Sequence, residues 1–169
     1  SELFNEISKD FGGDNFEWSS SIEERNRLWK ARHDVYYAVK ASRPEAEYIA
    51  TDVCVPISRL SECIMETIED METHKLYGPI VGHVGDGNFH VQLMVDPKIK
   101  EEVDTANAFL ERLAHRAINM DGTCTGEHGV GQGKKQYLID ELGPAVDFMK
   151  LIKQEIDPKG IMNPGKIFD

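Results

Sequence analysis

The sequence is poor in cysteine and in positive charge, and it lacks a long apolar run. Its 3 cysteines, Cys54, Cys63 and Cys124, are too few and too scattered for a disulfide framework, which favours a reducing compartment. Lys and Arg number 19 against 30 Asp and Glu, and the net charge of -11 argues against nucleic acid or an anionic membrane surface as a partner. No apolar run approaches the roughly 20 residues of a membrane span, so we expect a soluble protein. No targeting segment is visible at the N-terminus, and because the chain starts without Met we expect its true start upstream.

The chain also lacks repeats and linkers, and its 169 residues suit one domain. Apolar periodicity predicts helices over about residues 22–40, 57–73, 98–120, 134–142 and 145–156. We expect one strand over 48–56 and two more between 78 and 95, around an Asp86-Gly87 turn, with an irregular tail from 157 to 169. This order predicts an α+β fold, a ferredoxin-like antiparallel sheet covered by helices, with a helical C-terminal extension.

Two histidines flank the predicted hairpin turn. Counting outward from a two-residue Asp86-Gly87 turn pairs His83 directly with His90. Side chains so paired have Cβ atoms about 4.5 to 5.5 Å apart, close enough for both imidazoles to bind one metal ion. Strand alternation directs Phe89, Val91, Leu93 and Val95 to the core and leaves His90 and Gln92 on the face of His83. The alternative is a polar hairpin face without a metal.

Glycines concentrate in two segments. The first, residues 82–90, includes the hairpin turn with its two histidines, and the second, residues 122–133, contains Glu127 and His128 side by side. Its glycine spacing matches neither a phosphate-binding P-loop nor a dinucleotide fingerprint. Glu127 could complete a metal site with His83 and His90 and leave a coordination position open to substrate, and His128 could act as a base. The alternative is a glycine-rich turn with a solvated Glu-His pair.

Arg32 is the candidate ligand for a substrate carboxylate, because a guanidinium offers a planar bidentate fork. A single arginine in a helix is more often a partner in a surface ion pair. Cys54 and Cys63 fit small apolar core positions, and the spacing of Cys124 and His128 specifies no known nucleophilic dyad.

Five ordered blocks of the sequence resemble the C-terminal domain of FAD-linked oxidases of the vanillyl-alcohol oxidase superfamily. The blocks are Leu28–His33, Ala50–Pro56, His83–His90, Thr123–Gly131 and Asp157–Lys166. The resemblance implies that residues 1–169 form a substrate-binding and metal-binding cap domain, and that the FAD-binding domain lies outside this chain. It implies oxidation of a D-2-hydroxy acid, D-lactate to pyruvate, with FAD as the hydride acceptor and a divalent metal, Zn or Mn, that activates the hydroxyl. The fragment alone is expected to be inactive.

The resemblance also assigns roles to residues of this sequence. It implies His83, His90 and Glu127 as metal ligands, His128 as the catalytic base, Arg32 and Gln92 as substrate-binding residues, and Asn163 as a flavin contact. Relatives that oxidise D-2-hydroxyglutarate carry a lysine just before the position of Asp52, where this sequence has Ala50 and Thr51, which argues against a dicarboxylate substrate. The implied partners are the FAD-binding domain of the same protein and an electron acceptor such as cytochrome c. The implied localisation is mitochondrial in an animal and cytoplasmic otherwise.

Two other classes of function remain open on the sequence. A metal-dependent hydrolase could use His83, His90 and Glu127 with water. A structural domain could carry the same polar hairpin without binding an ion.

Overall fold

The computed structural model of the protein describes residues 1–13 and 18–168. These residues fall into two compact units, Ser1–Ala38 and the chain from Val39 onward. The helices are α1 (Glu2–Asp10), α2 (Ile22–Ser42), α3 (Ile57–Thr73), α4 (Lys100–Asn119), α5 (Lys135–Leu142) and α6 (Ala145–Ile156). The strands are β1 (Glu47–Ala50), β2 (Val53–Cys54), β3 (Ile80–His83) and β4 (Asn88–Val95). No helix in this described part has the length and apolar character needed to cross a membrane.

The first unit contains α1 and most of α2. Apolar periodicity predicted α2, whereas α1 was not predicted. The backbone N–H of Glu24 donates to Ser21 Oγ at 3.1 Å, and this hydrogen bond caps the N-terminus of α2. Arg32 lies in the middle of this helix.

The second unit has the predicted α+β class, with an antiparallel sheet arranged around β4. β4 pairs with β1, β2 and β3, and the register of β1 continues in β2, because Ala50 faces Gln92 and Val53 faces Phe89. The single strand predicted over 48–56 is therefore interrupted at Thr51 and Asp52. The Thr51 side chain replaces part of the ladder there, since its Oγ1 accepts the backbone N–H of Val91 at 2.7 Å.

One face of the sheet forms the core, as the alternation predicted. Phe89, Val91, Leu93 and Val95 pack against α3 and α4, where Leu60, Cys63, Ala106, Phe109, Leu113 and Ala117 are buried. The opposite face of β4 carries Asn88, His90 and Gln92, and these polar side chains are also buried. The sheet therefore has one apolar face under the helices and one polar face on which an active site can form.

The predicted pairing of His83 with His90 is wrong. His83 faces Asn88, and His90 faces Val81, because residues 84–87 form the connection as a 3₁₀ turn followed by Gly87. This connection is longer than the two-residue turn on which the prediction rested. The register shifts by two residues, an even number, so both histidines remain on the same face of the sheet as diagonal neighbours.

Candidate active site

The polar face of β4 meets the glycine-rich loop that follows α4. Thr123 forms an antiparallel bridge with Cys54, which places the start of this loop beside β2. The loop then approaches β4 so closely that a Cβ added to Gly126 would lie 2.0 Å from Asn88 Nδ2. This approach brings Glu127 and His128 to His90.

The Glu127 carboxylate lies among three imidazoles. Its Oε1 is 2.6 Å from His90 Nε2 and 3.3 Å from His128 Nε2, and its Oε2 is 3.8 Å from His83 Nε2. The rings of His90 and His128 meet edge to face with centroids 5.1 Å apart. The structure therefore brings together the four residues that the sequence singled out in the two glycine-rich segments.

His90 has a fixed ring orientation at this cluster. Its Nδ1 lies 2.8 Å from the Thr51 carbonyl oxygen, and its side chain is 10% exposed. An Nδ1–H that donates to a backbone carbonyl leaves Nε2 as the atom that can bind a cation, and this is the arrangement that orients metal-ligating histidines. The side chains of His83, Glu127 and His128 are about half exposed, so the cluster is open on one side.

The pKa of Glu127 reflects this surrounding. Desolvation acts to raise the pKa of the carboxyl, but contacts with His90, His128 and His83 outweigh it and lower the pKa below its ordinary value. Glu127 is therefore ionised near neutral pH, as a ligand for a cation must be.

The structure groups ligand atoms differently from the sequence prediction. Atoms of His90, Glu127 and His128 lie within 4.8 Å of one another and could hold a metal ion, whereas the predicted set was His83, His90 and Glu127. Two imidazoles and a carboxylate are a donor set that suits zinc or manganese, so the residues fit a divalent cation in either combination. The metal assignment itself stays a prediction.

Gln92 lies two residues beyond His90 on the same face of β4. Its side chain is buried, and its Oε1 is one of two buried side-chain oxygens without a hydrogen-bond partner among the described residues, with Asn88 Oδ1 as the other. An orphaned buried acceptor is costly unless a ligand or water supplies a donor. This observation fits the predicted substrate contact.

Asn163 and Lys166 lie in a turn of the C-terminal tail, which is irregular over its described residues as predicted; Asp169 lies outside them. Lys166 N–H donates to the Asn163 carbonyl at 3.2 Å, and Ile167 N–H donates to the Gly131 carbonyl at 2.7 Å. The turn is therefore tied to the loop that carries His128. Arg32 lies on α2 in the first unit, and its role as a carboxylate ligand stays a prediction.

Cys124 is not a nucleophile in this site. Its side chain is completely buried, and burial together with the hydrogen bond to Glu141 raises the pKa of the thiol to about 12. Since the thiolate is the reactive form, the group is inert near neutral pH. Cys63 is a core residue as predicted, and all three cysteines are free thiols.

The fold and the site together define the class of this protein. It is an antiparallel α+β domain with a cluster of histidines and a carboxylate on the polar face of its sheet. The sequence profile of the FAD linked oxidases, C-terminal domain, matches residues 1–167, and the chain belongs to this family. This confirms the resemblance seen in the sequence.

Curated relatives match nearly the whole chain. It is 53% identical over 165 residues to a Danio rerio protein named "Probable D-lactate dehydrogenase, mitochondrial", covering 97% of this chain and 33% of the relative. It is 46% identical over 158 residues to "D-lactate dehydrogenase [cytochrome] 1, mitochondrial" of Saccharomyces cerevisiae, covering 90% of this chain and 27% of the relative. A Stutzerimonas stutzeri "D-2-hydroxyglutarate dehydrogenase" is 32% identical over 155 residues, which are 89% of this chain and 32% of that protein. The chain spans about a third of the length of these relatives.

Proposed function

We propose that the chain is the substrate-binding and metal-binding C-terminal domain of a flavin-dependent D-2-hydroxy acid dehydrogenase that oxidises D-lactate to pyruvate. The observation that carries the proposal is the contact of Glu127 with His90 and His128 on an open polar face, in a member of the FAD-linked oxidase family. Family membership favours this activity over a metal-dependent hydrolase built on the same residues. The names of the two most similar relatives described above support D-lactate as the substrate.

We infer that FAD is bound mainly by a domain outside this chain, because the relatives are about three times as long as the part that matches. Residues 1–169 would then supply the substrate half of the active site and be inactive alone. Asn163 is the proposed flavin contact. The turn that contains Asn163 is connected to the loop of His128 by a hydrogen bond from the Ile167 N–H to the Gly131 carbonyl.

The proposed reaction divides between the bound groups and the chain. When bound, a divalent cation would supply a positive charge that lowers the pKa of the substrate hydroxyl, and a flavin would supply the hydride acceptor for C2. His83, His90 and Glu127 would hold the cation, and His128 would take the hydroxyl proton on a ring nitrogen. Arg32 would bind the substrate carboxylate through two parallel hydrogen bonds and so orient C2. Gln92 would contact the substrate through its buried Oε1, which can accept a hydrogen bond.

The relatives' names support a proposal for the electron acceptor and for the localisation. Relatives from yeast and from Arabidopsis thaliana carry "cytochrome" and "mitochondrial" in their names. We propose an acceptor such as cytochrome c, and mitochondrial localisation if the chain comes from an animal.

Metal content tests the proposed site. The full-length protein is dialysed against trace zinc and manganese, and its metal is measured by elemental mass spectrometry, alongside His83→Ala and His128→Ala. We expect near-stoichiometric metal that is lost in His83→Ala and retained in His128→Ala, while D-lactate oxidation is lost in both. His115→Ala, on α4 outside the cluster, is the matched control and should change neither quantity.

Other outcomes would revise the proposal. Metal lost in His128→Ala but retained in His83→Ala would make His128 a ligand, as the grouping of ligand atoms allows, and would remove it as the base. Absence of metal from the wild-type protein would refute the metal centre.

A further inference from the structure

The carboxylate of Asp52 accepts hydrogen bonds from three consecutive backbone amides of the glycine-rich loop. Its Oδ2 accepts the N–H groups of Gly126 at 3.0 Å, Glu127 at 3.1 Å and His128 at 2.9 Å. Asp52 is 3% exposed and lies in the interruption between β1 and β2. A single buried side chain thus binds the backbone of the two residues whose side chains meet His90.

Further donors fix the Asp52 carboxylate itself. Thr125 Oγ1 donates to Oδ2 at 2.9 Å, and Asn88 Nδ2 donates to Oδ1 at 2.9 Å and to the Val53 carbonyl at 3.0 Å. Lys134 Nζ lies 3.7 Å from Oδ2 and donates to the Asp52 carbonyl at 2.7 Å. Every one of these groups belongs to β2, β4 or the loop, so the carboxylate joins the sheet to the loop.

The partners of Asp52 differ from those of Asp70, another buried aspartate. Asp70 lies on α3 and pairs with the side chains of Arg112 and Arg116 on α4, which is an ordinary ion-pair network between helices. Asp52 instead occupies a concave set of successive backbone N–H groups, the geometry that proteins use to bind anions. Here the anion is a side chain of the protein, and what it orders is the loop backbone.

The residue before Asp52 orders the other half of the cluster. The Thr51 carbonyl lies 2.8 Å from His90 Nδ1, and the Asp52 carboxylate fixes the backbone at Glu127 and His128. The break in the edge strand at these two residues therefore controls both sides of the contact between His90 and Glu127.

We propose that Asp52 is the positioning residue of this site: it holds the backbone of residues 126–128 so that the Glu127 and His128 side chains project toward His90. The inference rests on the proposed function, because the cluster it orders is the proposed metal and base site. Asp52 acts through these neighbours and does not touch the substrate. Replacing it with Asn substitutes a donor for one carboxylate oxygen, so at least some of the loop amides lose their acceptor.

Two measurements on the full-length protein test the proposal. The dissociation constant for Mn²⁺ is measured from the electron paramagnetic resonance signal of the free ion, and amide hydrogen exchange is followed in the peptide that contains residues 126–128. For Asp52→Asn we expect Mn²⁺ affinity about 10- to 100-fold weaker, the usual cost of losing a group that orients metal ligands, and faster exchange in the loop. Asp70→Asn is the matched control, since it alters another buried aspartate and should leave both quantities at wild-type values.

Thr125→Val provides a milder second variant, because it removes one donor to Asp52 and keeps the shape of the side chain. If Asp52→Asn does not fold, Thr125→Val tests the proposal in its place. We expect this variant to bind Mn²⁺ a few fold more weakly than the wild type, with an unchanged melting temperature. Wild-type affinity and wild-type loop exchange in the variant that folds would overturn the proposal. If the wild-type protein binds no Mn²⁺, the metal centre of the proposed function fails, and amide exchange alone decides the role of Asp52.

Discussion

Nε2 of His90 lies 2.6 Å from Oε1 of Glu127, and this contact joins the two glycine-rich segments of the chain. His90 belongs to the central strand and Glu127 to the loop after α4, so the site exists only when the loop is folded onto the polar face of the sheet. The Thr51 carbonyl on the far side of the ring fixes which nitrogen faces the carboxylate.

Neutralising Glu127 should remove metal binding without unfolding the protein. The ionised carboxylate is the only negatively charged group among the proposed ligands, and its side chain is 45% exposed. For Glu127→Gln we expect Mn²⁺ affinity to fall by more than about 10-fold, with the melting temperature unchanged. Calorimetric titration with Mn²⁺ and a thermal unfolding scan measure the two quantities. Wild-type affinity in this variant would remove Glu127 from the ligand set.

Adding one methyl group at Gly126 should displace the loop. The new Cβ would lie 2.0 Å from Asn88 Nδ2, an atom already fixed by hydrogen bonds to Asp52 and Val53. We expect Gly126→Ala to weaken Mn²⁺ binding by about 10-fold or more and to lower the melting temperature.

Gly133→Ala is the control within the same loop, because a Cβ at Gly133 would meet no atom within 4 Å. This variant should bind Mn²⁺ as the wild type does. Equal effects of the two substitutions would show that the close approach at Gly126 is not what positions the loop.

Protonation of Asp70 should account for part of the loss of folding stability at acidic pH. Burial alone would raise the pKa of this carboxyl, but the donors from Arg112 and Arg116 outweigh burial and lower it below its ordinary value. At acidic pH the Asp70 carboxyl therefore binds a proton more readily in the unfolded chain than in the folded protein. The contribution of Asp70 to the free energy of unfolding is present above about pH 4 and is lost as the pH falls further.

Urea unfolding of wild type and Asp70→Asn at pH 7, 5, 4 and 3 measures this contribution. We expect the wild type to be more stable by about 2 kcal/mol at pH 7, with the difference shrinking below about pH 4. The same difference at pH 7 and pH 3 would contradict this assignment.

Truncating the core under the site should cost more stability than truncating the surface. Leu93 is fully buried on the apolar face of β4, so Leu93→Ala should lower the free energy of unfolding by about 3 kcal/mol. Leu151 on α6 is 61% exposed, and Leu151→Ala should change it by less than about 0.5 kcal/mol. Denaturant unfolding of both variants gives the comparison, and equal losses would place Leu93 outside the core.

Elements with a strong local signal were predictable from the sequence. The predicted bounds of α3 and α6 agree with the structure, because each has an apolar period and begins directly after a proline, Pro56 or Pro144. The alternation in β4 likewise identified its core face. The short helix α1, which buries none of its residues, was missed.

The hairpin register was predicted wrongly because distant residues shape the turn. The Gly87 carbonyl accepts the backbone N–H of Val55 at 3.0 Å, and Cys54 Sγ lies 3.2 Å from the Asp86 carbonyl oxygen. These contacts with β2 stabilise a 3₁₀ turn with Gly87 in the left-handed region, at φ 75°, instead of a two-residue turn. A local pattern contains no information about such partners.

Local properties, namely apolar periodicity and residue chemistry, were enough to predict α2 to α6, the core face of β4 and the two glycine-rich segments that contain the candidate ligands, but not α1. Which ligand atoms meet depends on how the loop packs onto the sheet, and so do the hydrogen bonds to the Asp52 carboxylate. Asp52 carries no sequence signal for its proposed role, because that role depends on backbone amides of residues 126–128, which folding brings to it from the loop after α4.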